Sequence, residues 1–270
     1  MTTTPSARIT SRQNSIVARY RAVAHGDVDD VLLLDGAHLV RDAIAAGLAI
    51  EHVAVDVNAT KRSEIATLME SVRAARADAV TVTAPVMAAL SPVRSSSAIV
   101  AIARRPSRSF GDLYAAPRNA AALVVIACDI QDPGNLGAIV RVAEAGGASG
   151  VIAAGASADP FGWKALRGSM GSALRLPVRR LDDPRAAATD ARQHRCRIVA
   201  TVPRGGRSIF DVDLRSPLAV LVGGEGPGLP QDVIDAADER ITIPMQTPVE
   251  SLNAATTAAL VVYEARRQRS

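Results

Sequence analysis

Short runs of aliphatic and β-branched residues alternate along this chain with stretches whose apolar positions recur every three or four residues. In the first part, Val31–Leu34, Val53–Val55, Val80–Val82 and Ile99–Ala103 read as strands. Helical patterns lie near Asn14–Ala24, over His38–Ala46 and over Ser63–Ala75, with a short turn after Pro85. This spacing predicts a compact α/β unit of common domain size. The stretch Arg104–Asn119, with two prolines, a glycine and four arginines, breaks the pattern and reads as a linker.

A second alternation follows. The apolar run Ala122–Ile130 leads into a helix expected from Leu136, then a strand at Val151–Ala153 and a basic segment around Trp163–Arg175. Strands are predicted at Ile198–Val202, Ala219–Val222 and Ile241–Ile243, and a final helix from about Ala254 to Arg267. Strands and helices alternating at this interval imply a mostly parallel sheet covered on both faces. The expected organisation is therefore residues 1–105, a linker at 106–120, and a larger α/β domain over 121–270.

Composition narrows the class. With 48% hydrophobic and 21% charged residues in 270, the chain has the make-up of a soluble globular protein with a real core. Aromatic residues make up only 3%, so that core rests on Val, Leu, Ile and Ala. No apolar run has the length to span a bilayer, and the polar start, MTTTPSARITSRQNS, lacks a secretory apolar stretch; the expected location is the cytoplasm. Cys128 and Cys196 have no CxxC partner or nearby histidine pattern, so they read as small buried hydrophobes and no metal is expected. The formal net charge is +4, and only Lys61 and Lys164 among the basic residues are lysines. Arginine's planar fork suits phosphates and stacks on bases, so a polyanionic partner fits, although a compositional bias of the source genome would give the same enrichment.

Three islands in the second half carry the chemistry: DPGNLGAIVR (Asp132–Arg141), LVGGEGPGL (Leu221–Leu229) and IPMQTPVESLN (Ile243–Asn253). Each follows an apolar run, where ligand sites of open α/β folds are built. In the first, Asp132, Pro133 and Gly134 form a turn and Asn135 reads as the N-cap of a helix starting at Leu136, with Arg141 under two turns further on. The second lacks both the GxGxxG spacing of a dinucleotide site and the GK[ST] of a P-loop, and it carries Glu225 among its glycines. In the third, Met245 offers a soft apolar surface, and Ser251 and Asn253 stand beside the start of the last helix, where they could equally be caps. Glycine turns, aliphatic clamps and a few hydroxyl and amide groups suit a flat heteroaromatic ligand of little charge.

In order, spacing and context these islands resemble the three signature motifs of the SpoU (TrmH-type) branch of the SPOUT RNA methyltransferases: NLGAIVR, LVGGEGPGL and IPM…VESLN. KALRGSMGSALRLPV (Lys164–Val178) is similar to a family segment as well, and ITSRQNSIV and LLLDGAHLVRDAI resemble the family's small substrate-binding domain, so the likeness spans nearly the whole chain. The resemblance implies an α/β fold with a C-terminal SPOUT domain, its mostly parallel sheet ending in a trefoil knot, and a smaller N-terminal α/β domain like that of certain ribosomal proteins. It implies S-adenosylmethionine as cofactor, with Thr201, Val202, Gly223, Gly224, Ile243, Met245, Ser251, Leu252 and Asn253 around it.

The implied reaction is methylation of a ribose 2′-hydroxyl, with Arg141, Asn135 and Glu225 as catalytic residues. An arginine is a poor simple base, its pKa exceeding about 12, so Arg141 is expected to orient the ribose and stabilise alkoxide charge. Glu225 is expected to hold the loop or contact Arg141. Implied partners are RNA, ribosomal in preference to transfer RNA, and a second copy of the chain through the final helix, with no membrane and no metal. A non-catalytic RNA-binding protein of the same fold is the competing reading. The chain departs from the family pattern at Thr247, where glycine is common, and at Ala254 and Ala255.

Overall fold

The computed structural model describes residues 8–93, 95–116 and 120–270; the first seven residues of the polar N-terminal stretch, and 117–119 of the expected linker, lie outside them. The chain groups into two compact units, Met1–Ser107 with Phe161–Leu174, and Arg108–Pro160 with Arg175–Ser270.

The first unit is a five-stranded mixed sheet with helices. In chain order it contains β1 (Arg8–Ile9), α1 (Ser15–His25), β2 (Val31–Asp35), α2 (Ala37–Ala45), β3 (Ile50–Asp56), α3 (Ser63–Ala74), β4 (Asp78–Val82), α4 (Ala84–Leu90) and β5 (Ile99–Arg104). The strand order is β1-β4-β3-β5-β2, parallel through β1, β4 and β3 and antiparallel from β3 to β5 and β2. Asn14 caps α1 by accepting from the Ile16 amide at 2.9 Å. Tyr20 of α1 is fully buried and satisfies its hydroxyl on His52 Nδ1 at 2.9 Å. Further along the chain α5 (Pro133–Gly146) belongs to the second unit, whereas α6 (Trp163–Ser169) returns to the first, its Trp163 packing against the cluster of Tyr20, Leu33, Met87 and Ile102.

Among the described residues the second unit holds seven strands, all parallel: β6 (Leu123–Cys128), β7 (Gly150–Ala154), β8 (Val178–Leu181), β9 (Arg197–Thr201), β10 (Arg207–Ser208), β11 (Leu218–Gly223) and β12 (Glu239–Thr242). Their order is β10-β12-β9-β11-β6-β7-β8. The all-apolar β6 and β7 are buried along their whole length, as a parallel sheet covered on both faces requires. After α7 (Ser172–Arg175) the helices are α8 (Pro184–Gln193), α9 (Gln231–Asp235) and α10 (Ala254–Arg269). Within the stretch read as a linker, Gly111–Tyr114 forms a 3-10 turn whose Leu113 is fully buried and whose Tyr114 hydroxyl donates to Asp190 at 2.6 Å.

α10 packs directly on α5, and the two come close at Gly146, where any β-carbon would overlap the Val262 side chain. At the far end of α10, Arg269 donates to the carbonyls of Ala121 at 2.8 Å, Leu214 at 2.9 Å and Ser216 at 2.8 Å, pinning the helix beside the start of β6. Because β12, β9, β11 and β6 are consecutive in the sheet, the loops leaving their carboxyl ends emerge side by side. The strand order also reverses there, since the chain moves from β6 to β7 and β8 and then returns to the other side of β11.

Candidate active site at the carboxyl edge of the parallel sheet

The first loop is shaped by its aspartates. Asp129, just past β6, adopts a left-handed φ of 55°, and its carboxylate accepts from the Ala156 amide at 2.7 Å. The helix expected from Leu136 starts three residues earlier: Asp132 is the N-cap of α5, accepting from the Asn135 amide at 2.7 Å, with Pro133 in the first turn. Asn135 is therefore not the cap, and its side chain is free for another task.

That task is to join the three islands. Asn253 is the N-cap of α10, its Oδ1 accepting from the amides of Ala255 at 2.9 Å and Thr256 at 3.2 Å. Since that oxygen faces backbone donors, the Asn253 Nδ2 must point away from them, and it donates to Asn135 Oδ1 at 3.0 Å. Asn135 in turn donates its own Nδ2 to Glu225 Oε1. Each amide has one orientation that satisfies its neighbours, so the chain Asn253–Asn135–Glu225 is directional. Glu225 thus contacts Asn135; no hydrogen bond or ion pair to Arg141 is found among the described residues.

Beside this relay lies a cavity of about 400 Å³. Thr201 and Val202 enter it from the end of β9, and Gly223 and Gly224 from the end of β11. Ile243 and Met245 line it from the segment after β12, and Ser251, Leu252 and Asn253 from the approach to α10. Glu225 reaches it too and is the sole charged group among the described lining residues. Gly224 is required by the fold itself, because a β-carbon there would overlap the Asp129 carbonyl oxygen. A smaller hollow of about 60 Å³ adjoins, lined by Asp129, Asp132, Asn135 and Glu225 among others, and Glu225 and Ala254 belong to both.

Arg141 lines neither hollow; it is an exposed residue of α5, under two turns beyond Asn135. Reading the sequence alone misses Pro203, Ile234 and Thr257 in the cavity wall. Thr257 had a signal, standing four residues after Asn253 on the same helical face; Ile234 of the short α9 had none. The thiol of Cys128, buried at the end of β6, is pushed far up by burial and then by the Asp129 charge, and burial pushes Cys196 up to about 11. Both stay protonated and neither is a nucleophile. Among the described residues no group of three or more histidine, cysteine or acidic side chains is placed to hold a metal ion, and no helix is long and apolar enough to cross a membrane.

A parallel α/β unit with a hollow over its strand-order reversal is a ligand-binding domain of the nucleotide-accommodating kind. Comparison with known proteins makes this specific. The SpoU rRNA Methylase family matches residues 122–263, and the chain belongs to that family. An uncharacterised tRNA/rRNA methyltransferase of Synechocystis is 30% identical over 99% of this chain and 96% of its own length. The 23S rRNA (guanosine(2553)-2′-O)-methyltransferase of Bacillus subtilis is 26% identical over 88% of this chain and 89% of its own. The crystal structure of the SpoU methyltransferase AviRb of Streptomyces viridochromogenes, in complex with AdoMet, superposes with a TM-score of 0.86 at 26% identity, covering 95% of this chain and 98% of that one.

Proposed function

We propose that this protein methylates a ribose 2′-hydroxyl of RNA, with large-subunit ribosomal RNA as the substrate and S-adenosylmethionine as the donor. The observation that carries the reading is the relay Asn253–Asn135–Glu225, which ties the three islands together at the edge of the cavity, Glu225 and Asn253 lining it and Asn135 lining the adjoining hollow. The cavity fits the donor. Its volume of about 400 Å³ is within the range of small-molecule sites, and Ile243, Met245 and Leu252 supply apolar surface for a purine. Thr201, Ser251 and Asn253 add hydroxyl and amide groups, and Glu225 is matched in sign to a cationic sulfonium. When bound, the donor supplies an electrophilic methyl group.

The chain's own residues have the rest of the work. The 2′-hydroxyl is a weak nucleophile near neutral pH, so it must be oriented and its developing negative charge stabilised. Arg141 is exposed and makes no hydrogen bond or ion pair among the described residues, so its five N–H donors are available to the incoming ribose and its phosphate. Asn135 and Glu225 hold the loop against which the nucleotide rests. We read residues 1–105 as the part that selects RNA. The enzyme works in the cytoplasm as a homodimer, a reading supported by Leu260 and Tyr263, large apolar residues exposed on α10. The carboxyl-terminal segment threads a loop of the second unit as a trefoil knot; the placing of β12 beyond β9, with α10 returning to α5, supports this.

The test is transfer of a labelled methyl group from S-adenosylmethionine to large-subunit ribosomal RNA by the purified protein, with the ribose position mapped. Activity should fall at least about a hundredfold in Arg141→Ala, the scale on which loss of one transition-state donor is felt, with donor affinity unchanged. RNA binding with no methyl transfer in the wild type would replace this reading with that of a binding protein.

A further inference from the structure

The cavity wall, among the described residues, has no cation, yet S-adenosylmethionine carries an α-carboxylate as well as an α-ammonium and a sulfonium. Charges of both signs adjoin lining residues on two of the loops around it. Arg204 follows the lining residue Pro203 in the loop after β9, and Glu250 precedes the lining residue Ser251 in the approach to α10. Their side chains stand 3.6 Å apart, so this ion pair bridges the two loops that bound the cavity. Both are highly exposed, at 73% and 81%, so the pair contributes little to folding.

We propose that Arg204 and Glu250 form the subsite for the donor's amino-acid end, Arg204 taking the α-carboxylate and Glu250 the α-ammonium. The inference rests on the donor reading above and deepens it. The two ligand charges sit on one carbon, so the four groups can alternate in sign around a square without the protein's own pair having to break. A zwitterion entering this mouth therefore meets both complementary charges at once, and the guanidinium offers a planar fork matched to a carboxylate. The aromatic and sugar parts of the ligand depend on the cavity wall and have no use for either residue.

Isothermal titration calorimetry on the full chain tests this with two ligands that share the adenosine portion. S-adenosylhomocysteine carries the amino-acid group, and 5′-methylthioadenosine lacks it. Arg204→Ala and Glu250→Gln should each weaken S-adenosylhomocysteine roughly three- to fivefold, the upper end of what one exposed charge pair contributes. Methylthioadenosine should change by less than about twofold, since it meets neither charge. Equal weakening of both ligands would overturn the inference, because the pair would then be shaping the loops. Unchanged binding of both, with or without loss of RNA affinity, would overturn it as well. A wild-type protein that bound neither ligand would bring down the donor reading itself, a distinct and separately visible failure.

Discussion

Asn253 lets the stability of the fold and the organisation of the site be pulled apart with single substitutions. Its Oδ1 caps α10 through the Ala255 and Thr256 amides, while its Nδ2 holds Asn135 at 3.0 Å. Asn253→Ala removes both functions. Loss of the cap costs about 1 kcal/mol and the side-chain hydrogen bond about another 1. At roughly 2–4 °C per kcal/mol for a domain of this size, the melting temperature should fall by about 4–8 °C. Asn253→Asp keeps an equally good cap and forfeits only the contact to Asn135, so its melting temperature should fall by about 2–4 °C, half the loss of Asn253→Ala. The second carboxylate oxygen, however, faces the oxygen of Asn135. Asn135 must then turn its amide over, and in doing so it presents an oxygen to the Glu225 carboxylate. One contact of Asn135 is lost whichever way it points, a loss of about 1 kcal/mol at these exposed side chains, and with Glu225 no longer held by the relay kcat/KM should drop roughly tenfold. Differential scanning fluorimetry and labelled methyl transfer, run on the same preparations, read the two effects. An Asn253→Asp protein that is both stable and fully active would refute the relay, and one as unstable as Asn253→Ala would refute the capping argument.

Two further outcomes follow from packing and charge. Gly224→Ala should destabilise the protein by about 1–3 kcal/mol, the usual cost of overpacking, because the new methyl meets the Asp129 carbonyl oxygen; chemical denaturation measures it, and a neutral effect would show that the two loops can part freely. The Glu264 carboxyl, on α10, is lowered from its ordinary 4.5 to about 2 by its hydrogen bonds to Arg267, with Gln268 assisting. A carboxyl depressed in the folded state contributes stability that is present above pH 4.5 and lost as pH falls toward 2. The acid limb of a stability–pH profile should therefore flatten in Glu264→Gln between those values, and an unchanged limb would refute the assignment.

How much of this was legible in the chain depends on how local the signal was. The strands of the second unit announce themselves because a sheet buried on both faces demands continuous apolar runs, as in Leu123–Cys128 and Leu218–Gly223. All nine residues expected around the cofactor do line one cavity. Where the signal was ambiguous, the reading slipped. Asp and Asn are equally good N-caps, and in Asp132–Asn135 the deciding clue was Pro133, which prefers the first helical position and so makes Asp132 the cap. The helix Pro184–Gln193 buries only Ala187, Ala188 and Ala191, too small an apolar face to stand out, and β8 at the sheet edge buries only Val178. Trp163 and Leu166 had no local mark to say that their segment would join the first unit.

The glycine island shows how a motif's chemistry can be displaced from where it is first sought. Glycines beside a ligand suggest backbone amides aimed at it, yet Gly224 is held to glycine by the carbonyl of Asp129, on a neighbouring loop. That close approach brings the ends of β11 and β6 together, and it sets Glu225 where Asn135 can reach it. Asn135 can reach because Asp132 has relieved it of capping duty, and Asn253 can orient it because its own oxygen is fixed by α10. The first two islands thus each spend one residue on backbone geometry and free another for the site, while in the third Asn253 does both with its two amide atoms, an arrangement that has meaning only when all three are present. A replacement in any one of them should therefore be felt in the other two, which is why the islands are better read as one constellation than as three motifs.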